Sequence, residues 1–193
     1  MNKSALKKFA TEARKELREK VKIKALQLGI TEDAIKEETV QSSDSVFIDG
    51  RQLTKEEQRQ RNKLIDRIKL KGFNQVIEEV AYTWFNRFAA LRFMEVHNYL
   101  PTKVRVLSST HEGSYEPDIM KEALNINLDI DKELVYELKV STENDATDKL
   151  YKHLILAQCD ALAPILPFMF GKTYDYTIIL FPDGLLSEGS FLR

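Results

Sequence analysis

Two kinds of chemistry are spelled out by residue type and spacing in this chain. The first is metal-dependent phosphodiester cleavage. Asp118 follows Pro117, and Glu137-Leu138-Lys139 comes later within VYELKV. An acid followed by Glu-x-Lys on a strand can hold a divalent ion between two carboxylates while the lysine positions the attacking water. The motif needs the strand, and DKELVYELKV fits an amphipathic helical turn as well as a strand. Helices also place an acid such as Asp118 in their first turn as a matter of course. The nuclease reading is therefore an alternative that lacks its required context.

The second kind is phosphate binding by cations. Lys8, Lys15, Arg18 and Lys22 fall on one side of a predicted first helix, and Arg59, Lys63 and Arg67 stand one turn apart on a predicted third. These seven are the candidate contacts to a DNA backbone. Glu12, Glu16 and Glu19 lie three or four residues from Lys15, Lys20 and Lys22. Ion pairs at that spacing are worth roughly 0.2–0.5 kcal/mol each, so a solvated charged face is the competing reading.

Other constellations are missing or already explained by packing. His97, His111 and His153 are far apart with no Cys or His at ligand spacing, so no metal site is assigned. Cys159, the single cysteine, sits between apolar residues and reads as core filler. No serine lies in a Gly-x-Ser-x-Gly turn, and Gly113, Gly171, Gly184 and Gly189 are isolated rather than gathered in a phosphate loop. Trp84, Phe85, Phe88 and Phe93 could stack on bases, but their density on one helix reads as core.

The element that must position all of this is residues 73–98. Phe73, Val76, Ile77, Val80, Ala81, Trp84, Phe85, Phe88, Ala89, Leu91, Phe93, Met94 and Val96 recur at three- and four-residue steps. They predict a helix apolar nearly all round, buried at the centre of a helical bundle. Within it, Arg92 has Glu95 three residues away, and Arg87 needs Glu79 or a neighbouring domain. Arg87, Arg92 and Glu95 rule the stretch out as a membrane span.

The other elements follow in order. Ser4 caps a first helix running to about Leu28, with Gly29 as its stop and Leu6, Phe9, Ala10, Ala13, Leu17, Val21, Ala25 and Leu28 inward. Thr31 opens a short helix over TEDAIKEE. Asp49-Gly50 joins Val46-Phe47-Ile48 to Arg51-Gln52-Leu53 in a hairpin near 46–53. Thr54 and Glu57 form a capping box for a third helix to Lys71, thinly apolar and therefore expected at the surface. After the rod, VRVL is a possible extended piece, and a short helix begins near Pro117. Asn144 or Asp145 opens a last helix through Leu162, closed by Pro164 and Pro167. Past Gly171 no closing element is read, which suggests continuation beyond Arg193. The fold class is mainly α: a helical bundle around a long buried helix, with one small hairpin.

The net charge of -1 conceals segregation. Residues 1–24 carry nine Lys/Arg against three Glu, and residues 51–71 carry eight against three acids. An anionic partner for the N-terminal half is the implication. One cysteine and no apolar leader point to the cytoplasm.

Four stretches carry a family resemblance: AYTWFNRFAALRFMEVHNYLPTKVRVLSS at 81–109, the opening MNKSALKKFATEARKELREKVKIKA, KLYKHLILAQCDALAPILPFMF, and DYTIILFPDGLLSEGSFL. They resemble the N-terminal region of the BREX-type (PglX) adenine-specific DNA methyltransferases of bacterial phage defence. The resemblance implies S-adenosylmethionine as methyl donor in the complete enzyme and adenine N6 as acceptor, with the target base flipped into a pocket beyond Arg193. The family's glycine-rich cofactor loop and Asn-Pro-Pro-Tyr pocket are not in these residues. No catalytic or cofactor-binding residue is carried over, and the chain alone is expected to be inactive. Residues 1–193 are then expected to be one N-terminal domain of a longer protein, with a basic lobe 1–72 and a core bundle 73–193. Its implied partners are the catalytic domain of the same polypeptide, DNA, and other phage-defence proteins, with no membrane. The alternative is a freestanding helical protein-interaction module without DNA binding.

Overall fold

The computed structural model describes residues 2–42 and 45–192, so Met1, Ser43, Asp44 and Arg193 lie outside it. The described residues are mainly helical, with one small antiparallel sheet. Contacts divide the chain within the long central helix into two compact units, Met1–Phe85 with Thr173–Asp183 and Asn86–Lys172 with Gly184–Arg193. Among the described residues no helix is long and apolar enough to cross a membrane.

The first unit opens with α1 (Lys3–Gln27), capped by Asn2 rather than Ser4: the Asn2 side chain accepts from the backbone of Ser4 and Ala5. Ala13, Leu17, Val21 and Ala25 form its buried stripe at four-residue steps. The expected inward positions Leu6 and Phe9 are instead 49% and 48% exposed. Gly29, at φ 70°, ends the helix, and Ile30 N–H returns to Ala25 O at 2.9 Å. A Cβ at Gly29 would lie 2.8 Å from Ile48 Cγ2, so both the turn and the packing select glycine.

The predicted helix at TEDAIKEE is absent. Ile30 and Ile35 form an isolated bridge, and the Thr31 hydroxyl accepts from Ala34 N–H at 3.1 Å to close a tight turn. The reason lies on another element. Arg61 of α2 (Lys55–Lys71) is 2% exposed and donates to Leu28 O, Lys36 O and Glu38. It draws backbone carbonyls toward one guanidinium, and an eight-residue helix is too weak to compete.

The hairpin forms in the predicted register, Val46 opposite Leu53 and Ile48 opposite Arg51, between β2 (Ser45–Ile48) and β3 (Arg51–Leu53). An additional strand, β1 (Thr39–Ser42), pairs antiparallel with β2. The capping box at Thr54 and Glu57 is formed, and α2 stops at Gly72. The α2 helix is less superficial than its composition suggests, because Gln60 and Arg61 are buried along with Leu64 and Ile68.

The central helix α3 spans Phe73–Val96. Its first half gives the first unit Val76, Ile77, Val80, Ala81 and Trp84, all buried. Residues past Gly171 do supply a closing element. There α8 (Asp175–Ile179) and the residues after it bring Tyr176, Ile179, Leu180 and Phe181 into the same core. The Trp84 indole N–H donates to Thr177 O at 3.1 Å, and Phe181 meets the indole edge-on at 4.7 Å.

In the second unit, the rest of α3 buries Arg87, Phe88, Leu91, Met94 and Glu95. It is not buried all round: Phe93 and Val96 are more than half exposed, and Phe93 packs its ring against His97 and Tyr99. VRVL forms no strand; Val106 and Leu107 give their N–H groups to Glu95 instead. The remaining helices are α4 (Asp118–Lys121), α5 (Lys132–Val140), α6 (Ala146–Leu162) and α7 (Pro167–Phe170). The α6 helix has the predicted bounds, and Pro167 begins α7 besides closing what precedes it. Tyr151 of α6, fully buried, donates its hydroxyl to Val106 O at 3.1 Å.

Candidate nucleic-acid interface

All seven predicted cations belong to the first unit. On α1 the buried stripe turns Lys8, Lys15, Arg18 and Lys22 outward or to the flanks. Lys8 and Lys22 sit 3.9 Å from Glu12 and Glu19, loose pairs of the expected helical kind. Arg18 is different: its Nε lies 2.8 Å from Glu78 of α3. Lys15 is exposed and makes no ion pair among the described residues.

On α2, Arg59 grips two carboxylates. Its Nε and Nη2 donate to Glu56 at 2.9 and 2.7 Å, and its Nη1 and Nη2 donate to Asp175 of α8 at 2.9 and 3.0 Å. Hydrogen bonds with Glu56 and Asp175 push its already high pKa further up. Arg67 donates to both oxygens of Glu79 at 2.7 and 3.0 Å, and the Tyr176 hydroxyl donates to the same carboxylate at 3.1 Å. Burial pushes the Glu79 carboxyl up, but the Arg67 and Tyr176 hydrogen bonds and the nearby charges of Arg67 and Lys71 outweigh it and hold the pKa below its ordinary value. Lys63, between these arginines in sequence, is exposed and forms no ion pair among the described residues.

Consecutive residues of α3, Glu78 and Glu79, thus anchor Arg18 of α1 and Arg67 of α2. Adjacent helical residues point about 100° apart, which lets one turn serve both basic helices. Five of the seven cations therefore carry a carboxylate partner, while Lys15 and Lys63 do not.

The α2 cations border a shallow groove of about 310 Å³ lined by Lys63, Asp66, Arg67, Leu70, Tyr174, Asp175 and Tyr176. The Arg67 guanidinium lies 5.3 Å over the Tyr176 ring, and Tyr174 stacks on Tyr176 at 5.5 Å with a 10° interplanar angle. Sequence reasoning missed both tyrosines and Asp175, because their partners are far away in the chain. The available signal was Tyr-Asp-Tyr itself, two rings flanking an acid in a stretch with no assigned element.

The nuclease constellation is not assembled. Glu137 and Lys139 lie on a helix, not a strand, and Lys139 donates to Met120 O at 2.8 Å. Asp118 accepts from Ser109 Oγ at 3.0 Å and Thr110 N–H at 2.9 Å, which holds a loop. Among the described residues no group of three or more His, Cys, Asp or Glu is placed to hold a metal ion. Arg87 donates to Gly171 O at 3.0 Å rather than pairing with Glu79, and Arg92 pairs with Glu95 as expected. Cys159 fills core space, and burial pushes its thiol up to about 12, with Asp160 adding and Arg87 opposing.

Asp118 yields a pH prediction. Burial raises its pKa, but hydrogen bonds from Thr110 and Ser109 prevail and lower it. A carboxyl depressed in the folded state stabilises fully above its unfolded pKa, roughly 4, and loses that contribution as pH falls through the folded value. Asp118→Asn should cost about 1–3 kcal/mol at neutral pH, and its stability should fall less steeply than wild type below about pH 4. Denaturant melts across pH 2–7 measure this, and parallel curves for the two proteins would remove Asp118 from the account.

No protein-family model matches the chain. Two curated relatives do. The chain is 39% identical over 198 residues to the adenine-specific methyltransferase PglX of Lacticaseibacillus casei (strain Zhang), an alignment covering 94% of this chain and 16% of that relative. It is 33% identical over 199 residues to the adenine-specific methyltransferase BrxX of Escherichia coli O9:H4 (strain HS), covering 100% of this chain and again 16% of the relative. The resemblance read from the sequence is borne out. Over nearly all of its length this chain is similar to one region of much longer adenine-specific methyltransferases.

Proposed function

We propose that this chain acts as the N-terminal helical auxiliary domain of a site-specific DNA adenine-N6 methyltransferase of phage defence, at work in the cytoplasm. The observation that carries the reading is similarity across 94–100% of the chain to enzymes of which it spans only 16%. Its role is to brace the catalytic domain of the same polypeptide and to contact the DNA backbone, or to dock another defence protein. In the complete enzyme S-adenosylmethionine supplies the methyl group. The glycine-rich loop and the Asn-Pro-Pro-Tyr run that the resemblance implies for that chemistry do not occur in residues 1–193, so no residue of this chain is assigned to the cofactor. No catalytic step is derived through it.

Backbone contact falls first to Lys15 and Lys63, the two predicted cations without a carboxylate partner. Arg18, Arg59 and Arg67 reach phosphate only by leaving Glu78, Glu56 with Asp175, and Glu79. The salt dependence of duplex binding separates these cases. Two phosphates give a slope of log affinity against log salt of about -2, whereas five give about -4 to -5. A slope near -2 that flattens in Lys15→Gln/Lys63→Gln, with equal weakening on all sequences, is the expected result of fluorescence titrations. Unchanged affinity in the double variant would make these faces plain solvated surface. Absence of duplex binding at low salt would favour the freestanding interaction module.

A further inference from the structure

We infer that the groove between α2 and α8 takes one unstacked nucleobase, which stacks on Tyr174 while the adjoining phosphate meets Lys63. The inference rests on the reading that this chain works on DNA, and adds to it a site for single strands.

The groove is built as an ordered pile with one end closed. Glu79 fixes Arg67 and the Tyr176 hydroxyl at the bottom, Tyr176 is only 9% exposed, and Tyr174 lies nearly parallel on it. Tyr174 itself is 56% exposed and lines the groove. A flat π-surface held in place by a ring beneath it accepts another flat ring at little ordering cost. The volume, about 310 Å³, falls at the small end of ligand clefts, roughly 300–1,000 Å³.

Charge selects among flat ligands. A guanidinium or an alkylated ammonium is drawn to unpaired carboxylates at the rings, but Asp175 is held by two of the Arg59 nitrogens and Glu79 by Arg67, which leaves Asp66 alone, three residues from the Lys63 cation on the same helix. What the lining leaves over is the exposed Lys63 ammonium and the exposed Asp66 carboxylate, a cation for a phosphate and an acceptor for an exocyclic amino group. A base inside a duplex has both faces covered by its neighbours, so only an unpaired, unstacked base fits. One phosphate contact to a single strand implies a shallow salt slope, about -0.7.

The test uses the whole chain with a fluorescein-labelled 12-nucleotide DNA single strand, the same strand carrying abasic sites, and the corresponding duplex. Tyr174→Leu and Tyr174→Trp are exposed-site variants whose fold is checked by circular dichroism. The expected result is that wild type prefers the base-bearing strand to the abasic one by tenfold or more, a usual worth of one stacked base. Tyr174→Leu abolishes that preference, Tyr174→Trp keeps it, and neither changes duplex affinity. Equal affinity for base-bearing and abasic strands, or a preference that survives in Tyr174→Leu, overturns the inference. So does binding of a proline-rich peptide in place of the oligonucleotide. If duplex binding persists in those cases, the auxiliary-domain reading stands and only the groove is lost; if neither form of DNA binds, both fall.

Discussion

Trp84→Ala will lower stability by about 3–5 kcal/mol, the range for deleting a buried aromatic. Trp84 is wholly inaccessible, meets Phe181 edge-on, and ties Thr177 O to α3 through its indole N–H. Truncation therefore leaves a cavity and a dry carbonyl together. Domains of this size are held by only about 5–15 kcal/mol, so the variant will melt early or fail to fold. Trp84→Phe retains a ring against Phe181 and loses the hydrogen bond, and should cost less than the alanine. Denaturant melts followed by circular dichroism give the comparison. In wild type, Trp84 is the single tryptophan, so its fluorescence reports the first unit directly. A near-zero loss in the alanine variant would mean that the helix is not the core and would reopen base stacking as the use of its aromatics.

Glu95→Ala will have an effect of similar size on the second unit. The carboxylate has no accessible surface and accepts from Val106 N–H and Leu107 N–H, both at 2.8 Å, from Ser108 Oγ at 2.9 Å and from Arg92 Nη1 at 2.5 Å. Removing it strands two buried backbone donors, Val106 N–H and Leu107 N–H, at about 1–3 kcal/mol each, whereas Arg92, 54% exposed, keeps water and Ser108 Oγ as partners. Glu95→Gln keeps the shape but turns an amide N–H toward donors, so it should recover only part of the loss. Hydrogen exchange at Val106 and Leu107 is the local readout. If those amides stay as protected in Glu95→Ala as in wild type, the carboxylate does not hold this loop.

Both residues show what a sequence discloses and what it withholds. Motifs closed within a few residues were legible: the Thr54–Glu57 box, the Asp49-Gly50 turn, the stop at Gly29, the α6 bounds and the Arg92–Glu95 pair. Each is decided by local backbone geometry, which the intervening residues specify. Interactions closed across the chain were not. Glu95 looked like a partner for Arg92, while its bonds to Val106 and Leu107 are a tertiary matter. TEDAIKEE has helical propensity, but Arg61, far along the chain, draws the flanking carbonyls to itself. The same limit applies to the candidate site. Spacing alone picked out Arg59, Lys63 and Arg67 along α2, yet Arg59 lies 116 residues from Asp175 and Glu79 lies 97 from Tyr176. The charges were readable; their neutralisation and the tyrosine pile were not.

The return of Thr173–Asp183 to the first unit sets an order on synthesis. Trp84 meets its carbonyl partner 93 residues further along the chain. A ribosome adding about 5–20 residues per second takes roughly 5–20 s to deliver it. During that interval α1, α2 and the start of α3 have emerged without Ile179, Leu180 and Phe181, and the apolar faces they cover stand open. The second unit also ends late, since Gly184 N–H bonds to the Asp148 carboxylate at 3.0 Å only after α8 has been made. A nascent chain stalled before Thr173 is thus a ready substrate for chaperones or proteases, and fragments of this region that stop short of Asp183 should be recovered as aggregates.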